Sequence, residues 1–129
     1  MQELELTPQD FAAVVFHQPN AKFPRKIAKQ LGFSREQIQA GLLSPIIGNC
    51  YAGASPLGLT RALDEAQPGD RLMIVSFGSG AGSDAMVYRV TPHILARRQR
   101  AAQTQHYLDR KNWIDYATYA RWRGKIGKG

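Results

Sequence analysis

The chain has 129 residues, the size of one ordinary domain, and its 43% hydrophobic content is enough for one core, with no sign of disorder, collagen or coiled coil. A single cysteine, Cys50, excludes an internal disulfide and a cysteine-built zinc site, so no structural metal is expected. Seventeen basic against ten acidic residues give a formal charge of +7, which predicts an anionic partner without identifying it. The excess gathers from Arg97 onward, where nine Lys or Arg meet only Asp109 and Asp115. A solvated basic face explains such a gathering as well as a binding surface does.

The apolar runs, such as Leu72 to Val75, fall far short of the roughly 20 residues that span a bilayer. The start, Met1-Gln2-Glu3-Leu4-Glu5, is acidic and lacks the basic, then apolar, pattern of a secretory signal, so a cytoplasmic location is expected. Thr7-Pro8-Gln9-Asp10 reads as a short helix start, with Thr7 as cap and Asp10 near the positive end of the dipole. The compact run Ala12-Ala13-Val14-Val15-Phe16 suits a buried strand that delivers His17-Gln18-Pro19-Asn20 to a loop. Pro24 opens a helix with Ile27, Ala28 and Leu31 on one face and Gly32 as its stop. Ser34 through Gln37 fits a capping box, and a second short helix runs to about Ala40.

A small-residue stretch from Gly48 to Pro56 then turns into a helix through Leu57, Leu59, Leu63 and Ala66. Ala52, Gly53 and Ala54 at its entry predict close approach to neighbouring backbone. Pro68-Gly69-Asp70 breaks the chain, after which Arg71 to Phe77 and Ala85 to Val90 read as strands joined by a glycine-rich bend from Gly78 to Asp84. The remainder is helical or irregular, with a basic, aromatic-rich tail. Residues 1–92 therefore form the body and residues 93–129 a helical tail packed on it. Strands interleaved with helices place the chain in the α/β class, and the short link between the last two strands makes the sheet mixed. Three strands are few for a sheet covered by helices on both faces, so further polypeptide is expected to complete it.

Three features carry chemistry. His17 stands at the end of a rigid strand, and an imidazole can give or take a proton near neutral pH; a backbone-satisfied histidine is the plainer reading. Asn49 offers a carboxamide to a carbonyl oxygen or serves as a helix cap. The 78–84 bend lacks the Gly-Lys-Ser/Thr ending of a triphosphate loop and leads into a strand, which excludes that site but leaves backbone N–H groups free to approach a ligand oxygen. Cys50 as a nucleophile paired with His17 is disfavoured, because it is adjacent to Asn49 and the two side chains should diverge.

In order, His17-Gln18-Pro19-Asn20 and Gly48-Asn49-Cys50-Tyr51-Ala52-Gly53-Ala54-Ser55 resemble the His-Gln-x-Asn and Gly-Asn motifs of thiolase-superfamily condensing enzymes. With Lys22-Phe23-Pro24, the Gly-Ser-Gly-Ala-Gly-Ser-Asp bend, and Ile114-Asp115-Tyr116-Ala117-Thr118-Tyr119-Ala120-Arg121, the likeness narrows to archaeal-type hydroxymethylglutaryl-CoA synthases, carboxy-terminal half only. That resemblance implies the carboxy-terminal half of a thiolase-like fold, with 1–92 as catalytic half-domain, incomplete without its amino-terminal half. It implies condensation of acetyl-CoA with acetoacetyl-CoA, with coenzyme A thioesters as substrates and no cofactor. By the same resemblance His17 is the acid at the ketone oxygen, Asn49 and Ser79 contact the acyl group, and Lys22 and Lys26 bind CoA. The family's nucleophilic cysteine and its glutamate base have no match here, and Cys50 stands where relatives usually have threonine. The chain is thus expected to be a piece of a longer enzyme or to work with a separate chain, and to be inactive alone. A homodimer, and association with an acetoacetyl-CoA thiolase and an OB-fold bridging protein, are further implications. The alternatives are a ketoacyl-carrier-protein synthase III-like enzyme and, in another class, a non-catalytic module whose basic aromatic tail binds nucleic acid, which would leave His17 and Asn49 unexplained.

Overall fold

The computed structural model describes residues 5–78, 80 and 82–127. Ser79, with its predicted acyl contact, lies outside them. The sheet has three strands among the described residues, in the order β1 (Ala13–Phe16), β2 (Arg71–Gly78), β3 (Gly82–Arg89). β1 and β2 run parallel from Ala13 opposite Leu72 to Phe16 opposite Val75. β2 and β3 form an antiparallel pair from Arg71 opposite Arg89 to Gly78 opposite Gly82, which narrows the glycine bend to three residues. Seven helices are described: α1 (Lys22–Leu31), α2 (Arg35–Gln39), α3 (Ser44–Ile47), α4 (Ala54–Glu65), α5 (His93–Arg98), α6 (Thr104–Leu108) and α7 (Tyr116–Trp122).

All four residues of β1 are buried because helices cover both of its faces. On one side Val14, Phe16 and Met73 pack with Phe11, Ala28 of α1, Phe33 and Ile38 of α2. On the other, Ala13, Val15, Leu72 and Ile74 pack with Ala62, Ala66 and Val90 beneath α4. The alternation of strand side chains splits one short apolar run between two cores. The layers stop there: all eight residues of β3 are exposed, on both faces.

Several local readings hold and some shift. Gly32 ends α1 in the left-handed region at φ 83°, and Ser34 and Gln37 form the reciprocal cap of α2. The Gln37 amide also donates to the carbonyls of Pro8 and Phe11 at 2.7 and 2.6 Å. Pro8–Asp10 forms a single 3-10 turn, and the Asp10 carboxylate accepts from the Thr7 N–H and hydroxyl, each at 2.8 Å. Those bonds hold its carboxyl below the ordinary aspartate value. The buried face of α1 is Pro24 and Ala28, whereas Ile27 and Leu31 are exposed. Small residues fit where the helix lies close to the strand. The closest approach of α4 comes a turn after its entry: a Cβ on Gly58 would stand 2.6 Å from Val15 Cγ1 and 2.7 Å from the Gly41 carbonyl oxygen. The tail is tied to α4 through the Arg98 guanidinium, which donates to the carbonyls of Leu63 and Ala66, and through the Thr104 N–H, which donates to Asp64 at 2.7 Å.

Candidate active site

The end of β1 builds one wall of the site. The His17 N–H donates to the Val75 carbonyl at 2.8 Å, which extends the strand pairing one residue past Phe16 and fixes the backbone beneath the ring. The imidazole is half-buried, tilted against Phe77 with ring centroids 5.8 Å apart, and its Nδ1 is buried without a hydrogen-bond partner among the described residues. The remaining motif residues are anchors. Asn20 caps α1 by accepting from the N–H groups of Lys22 and Phe23 at 2.9 and 3.2 Å, and Gln18 is buried with its amide bonded to backbone on two other segments.

His17 opens into a cavity of about 730 Å³ lined mainly by apolar side chains, among them Phe23 and Ile27 of α1, and Val75 and Phe77 of β2. Asn49, Tyr51 and Ala52 close it from the loop ahead of α4, and Gly78 and Ser83 from the two ends of the bend. His17 and Asn49, thirty-two positions apart in sequence, therefore share one cavity. Asn49 is not a helix cap: its Oδ1 accepts from the Tyr51 N–H in a local turn, which orients the carboxamide and leaves the NH₂ group able to donate to a ligand. Tyr51 takes φ 48° to make that turn, an unusual conformation for a tyrosine and a mark of a tightly specified loop. Cys50 contributes nothing to the cavity lining, and among the described residues its thiol makes only a weak 3.9 Å contact with the Gly48 carbonyl.

Lys22 and Lys26 are not brought to the cavity wall. They lie one turn apart on the exposed part of α1, beside the Phe23 and Ile27 positions that do line it. Gln18 is the residue that the motif reading left without a role. Its signal was an amide-bearing side chain in an otherwise apolar strand end, where a polar group must be fully bonded to be buried at 2% exposure.

Residues 1–90 match the sequence model of the family described as 3-oxoacyl-[acyl-carrier-protein] synthase III C terminal. The chain belongs to this family. Among its curated relatives, the hydroxymethylglutaryl-CoA synthase of Thermococcus kodakarensis is 55% identical over 97% of the chain, and that of Methanocaldococcus jannaschii 51% identical over 98%. The chain spans only 36% of the length of each. Of solved structures, a hydroxymethylglutaryl-CoA synthase complexed with CoA superposes with a TM-score of 0.68 at 22% identity, covering 93% of this chain and 34% of that one. The β-ketoacyl-[acyl carrier protein] synthase III of Thermus thermophilus superposes at 0.61 with 30% identity, covering 68% of this chain and 27% of its own. This synthase III C-terminal family member thus has a thiolase-like fold, in the α/β mixed-sheet form expected from its sequence. None of the helices described is long and apolar enough to cross a membrane.

Proposed function

We propose that this chain is the histidine- and asparagine-bearing portion of a hydroxymethylglutaryl-CoA synthase, which condenses acetyl-CoA with acetoacetyl-CoA to 3-hydroxy-3-methylglutaryl-CoA in the mevalonate route to isoprenoids. One observation carries the reading: 55% identity to a synthase of that name runs through a chain whose His17 and Asn49 line a single cavity.

In the reaction so implied, an acetyl group moves from CoA to a cysteine, and a glutamate takes a proton from its methyl carbon. The carbanion bonds to the ketone carbon of acetoacetyl-CoA, and the carbonyl electron pair moves onto oxygen. His17 delivers the proton to that oxygen, since a donor placed where negative charge develops lowers the barrier most. The Asn49 NH₂ group and Ser79 hold the acyl part, and hydrolysis of the acyl-cysteine frees the product. Lys22 and Lys26 meet the CoA phosphates from the outer part of α1, as point charges without the bidentate grip of arginine. Coenzyme A thioesters enter as substrates, and no resident cofactor is needed.

The cysteine and the glutamate come, in this reading, from further polypeptide, which also covers the exposed β3 strand. Cys50 is no substitute, since it stands outside the cavity lining. A homodimer in the cytoplasm, associated with an acetoacetyl-CoA thiolase and an OB-fold bridging protein, belongs to the same proposal, as does the division into a catalytic body of 1–92 and a tail of 93–129.

A ketoacyl-carrier-protein synthase III-like role has the family description and the Thermus thermophilus structure in its favour. Against it, the family match ends at residue 90, whereas the hydroxymethylglutaryl-CoA synthases align through the tail. The purified chain is expected to form no 3-hydroxy-3-methylglutaryl-CoA. Once complemented by polypeptide bearing the cysteine and glutamate, it should use acetoacetyl-CoA rather than malonyl carrier protein and lose about 10²–10⁴-fold in kcat on His17→Ala. Turnover by the chain alone, or a complemented enzyme indifferent to His17→Ala, overturns the reading.

A further inference from the structure

We propose that Gln18 is a positioning residue that sets His17 against Asn49, by holding with one carboxamide both ends of the segment that carries Asn49. The inference rests on the reading above only in naming His17 and Asn49 as the pair whose placement matters.

Gln18 is 2% exposed, among the largest fully buried side chains of the molecule. Its Nε2 donates to the Gly41 carbonyl at 2.7 Å and, more weakly, to that of Ala54 at 3.4 Å. Its Oε1 accepts from the N–H groups of Leu43 and Ser44 at 2.7 and 2.9 Å. Two donors and two lone pairs are all that a carboxamide has, so its capacity is filled. The partners are chosen by position: Ser44 opens α3 and Ala54 opens α4, and Asn49 lies between them. His17 is joined to Gln18 by one peptide bond. A single amide therefore ties the strand end that carries the imidazole to both feet of the loop that carries the carboxamide donor.

The surroundings are shaped for this group. A Cβ on Gly41 would stand 2.6 Å from Val15 Cγ2, and one on Gly58 would come within 3.0 Å of Gln18 Nε2. Glycine at both places lets α4 and the Gly41–Ser44 turn close around the amide. Leaving such buried donors and acceptors unmade is costly, so the arrangement resists partial loosening.

The test uses the whole chain without ligand. Gln18→Met keeps the side-chain length but removes the four bonds. The amides of Leu43 and Ser44 are expected to exchange with solvent roughly 10-fold faster or more relative to those of β1. The NMR signals of the His17 ring and of residues 49–51 are expected to broaden or split. Val90→Ala, a core deletion beneath α4 at the other end of the sheet, controls for general destabilisation and should not single out those positions. Gln18→Glu is the second variant. Its neutral carboxyl can donate to the Gly41 carbonyl and accept from Leu43 and Ser44, whereas the ionised form presses a negative charge on that carbonyl. Protection of the Leu43 and Ser44 amides relative to those of β1, and a single His17 signal, should therefore return as pH falls.

Wild-type exchange at Leu43 and Ser44 in Gln18→Met, the same selective loss in Val90→Ala, or no recovery of Gln18→Glu at low pH would each overturn the proposal. Failure of the complemented enzyme to use acetoacetyl-CoA would instead sink the synthase reading while leaving these ligand-free results as they stand.

Discussion

The chain around β1 and the chain beyond β2 follow opposite designs. β1 has four residues and all are buried, with a separate core on each face and a filled hydrogen-bond set at Gln18 just past its end. β3 has eight residues and all are exposed, and the tail that follows carries Trp113, Tyr116 and Trp122 at more than 70% exposure. What separates them is coverage. Helices α1, α2 and α4 enclose β1, whereas the tail is held to α4 by a few anchors, chiefly Arg98, Thr104 and the buried Leu108. Preorganised chemistry belongs on the enclosed side, because only there does packing dictate where a side chain stands.

The contrast is broken most severely at Gly58. Alanine there gains about 1 kcal/mol of helix propensity, but its Cβ meets both a Val15 methyl and the Gly41 carbonyl, and backbone cannot move aside cheaply. Gly58→Ala is expected to cost about 1–3 kcal/mol net, read from the urea midpoint, with the damage centred on β1 and the Gly41–Ser44 turn. Next in size is Arg98→Met, which removes the donors to Leu63 and Ala66. A loss of about 1–2 kcal/mol is expected, confined to the tail: faster hydrogen exchange in α5 and α6, with β1 amides unchanged. Equal acceleration in β1 would show that the two regions unfold as one unit.

The smallest effect sharpens the comparison at α7. Asp115 caps this helix by accepting from the Thr118 N–H at 2.7 Å, and its carboxyl is held below the ordinary aspartate value chiefly by that backbone bond, with help from the Thr118 side chain and the Ala117 N–H. A depressed folded-state pKa means that the stabilisation is complete above the unfolded value and fades as pH falls through the folded one. Amide shifts of residues 116–119 should therefore move toward frayed values at acid pH while those of β1 stay fixed. Asp115→Asn should remove the pH dependence and keep the cap.

Much of this was legible from local patterns. The apolar run before His17, the Gly32 stop, the Ser34 and Gln37 cap and the Pro68-Gly69-Asp70 break are each set by neighbours within a few positions, and each stands where the sequence puts it except that the strand begins at Ala13 and leaves Ala12 exposed. The pairing of His17 with Asn49 was legible through motif resemblance. The outward turn of Ile27 and Leu31 was not, because the face of α1 that packs depends on how closely the helix lies on β1, and Pro24 and Ala28 allow a closer approach than branched side chains do. Nor was α3, whose Pro45-Ile46-Ile47 run is too short for periodicity to separate helix from strand.

The sequence by itself determined the α/β class, the order of the three strands with α1, α2 and α4 among them, several caps and breaks, and the presence of an imidazole able to do acid chemistry, since these follow from backbone preference and side-chain type over short spans. Only the tertiary structure decided which side chains meet: that Asn49 closes the cavity of His17, that Lys22 and Lys26 stand outside its wall, and that Gln18 binds backbone 23 to 36 residues away. Such contacts depend on distances of a few ångströms between segments remote in the chain, and no local preference encodes them.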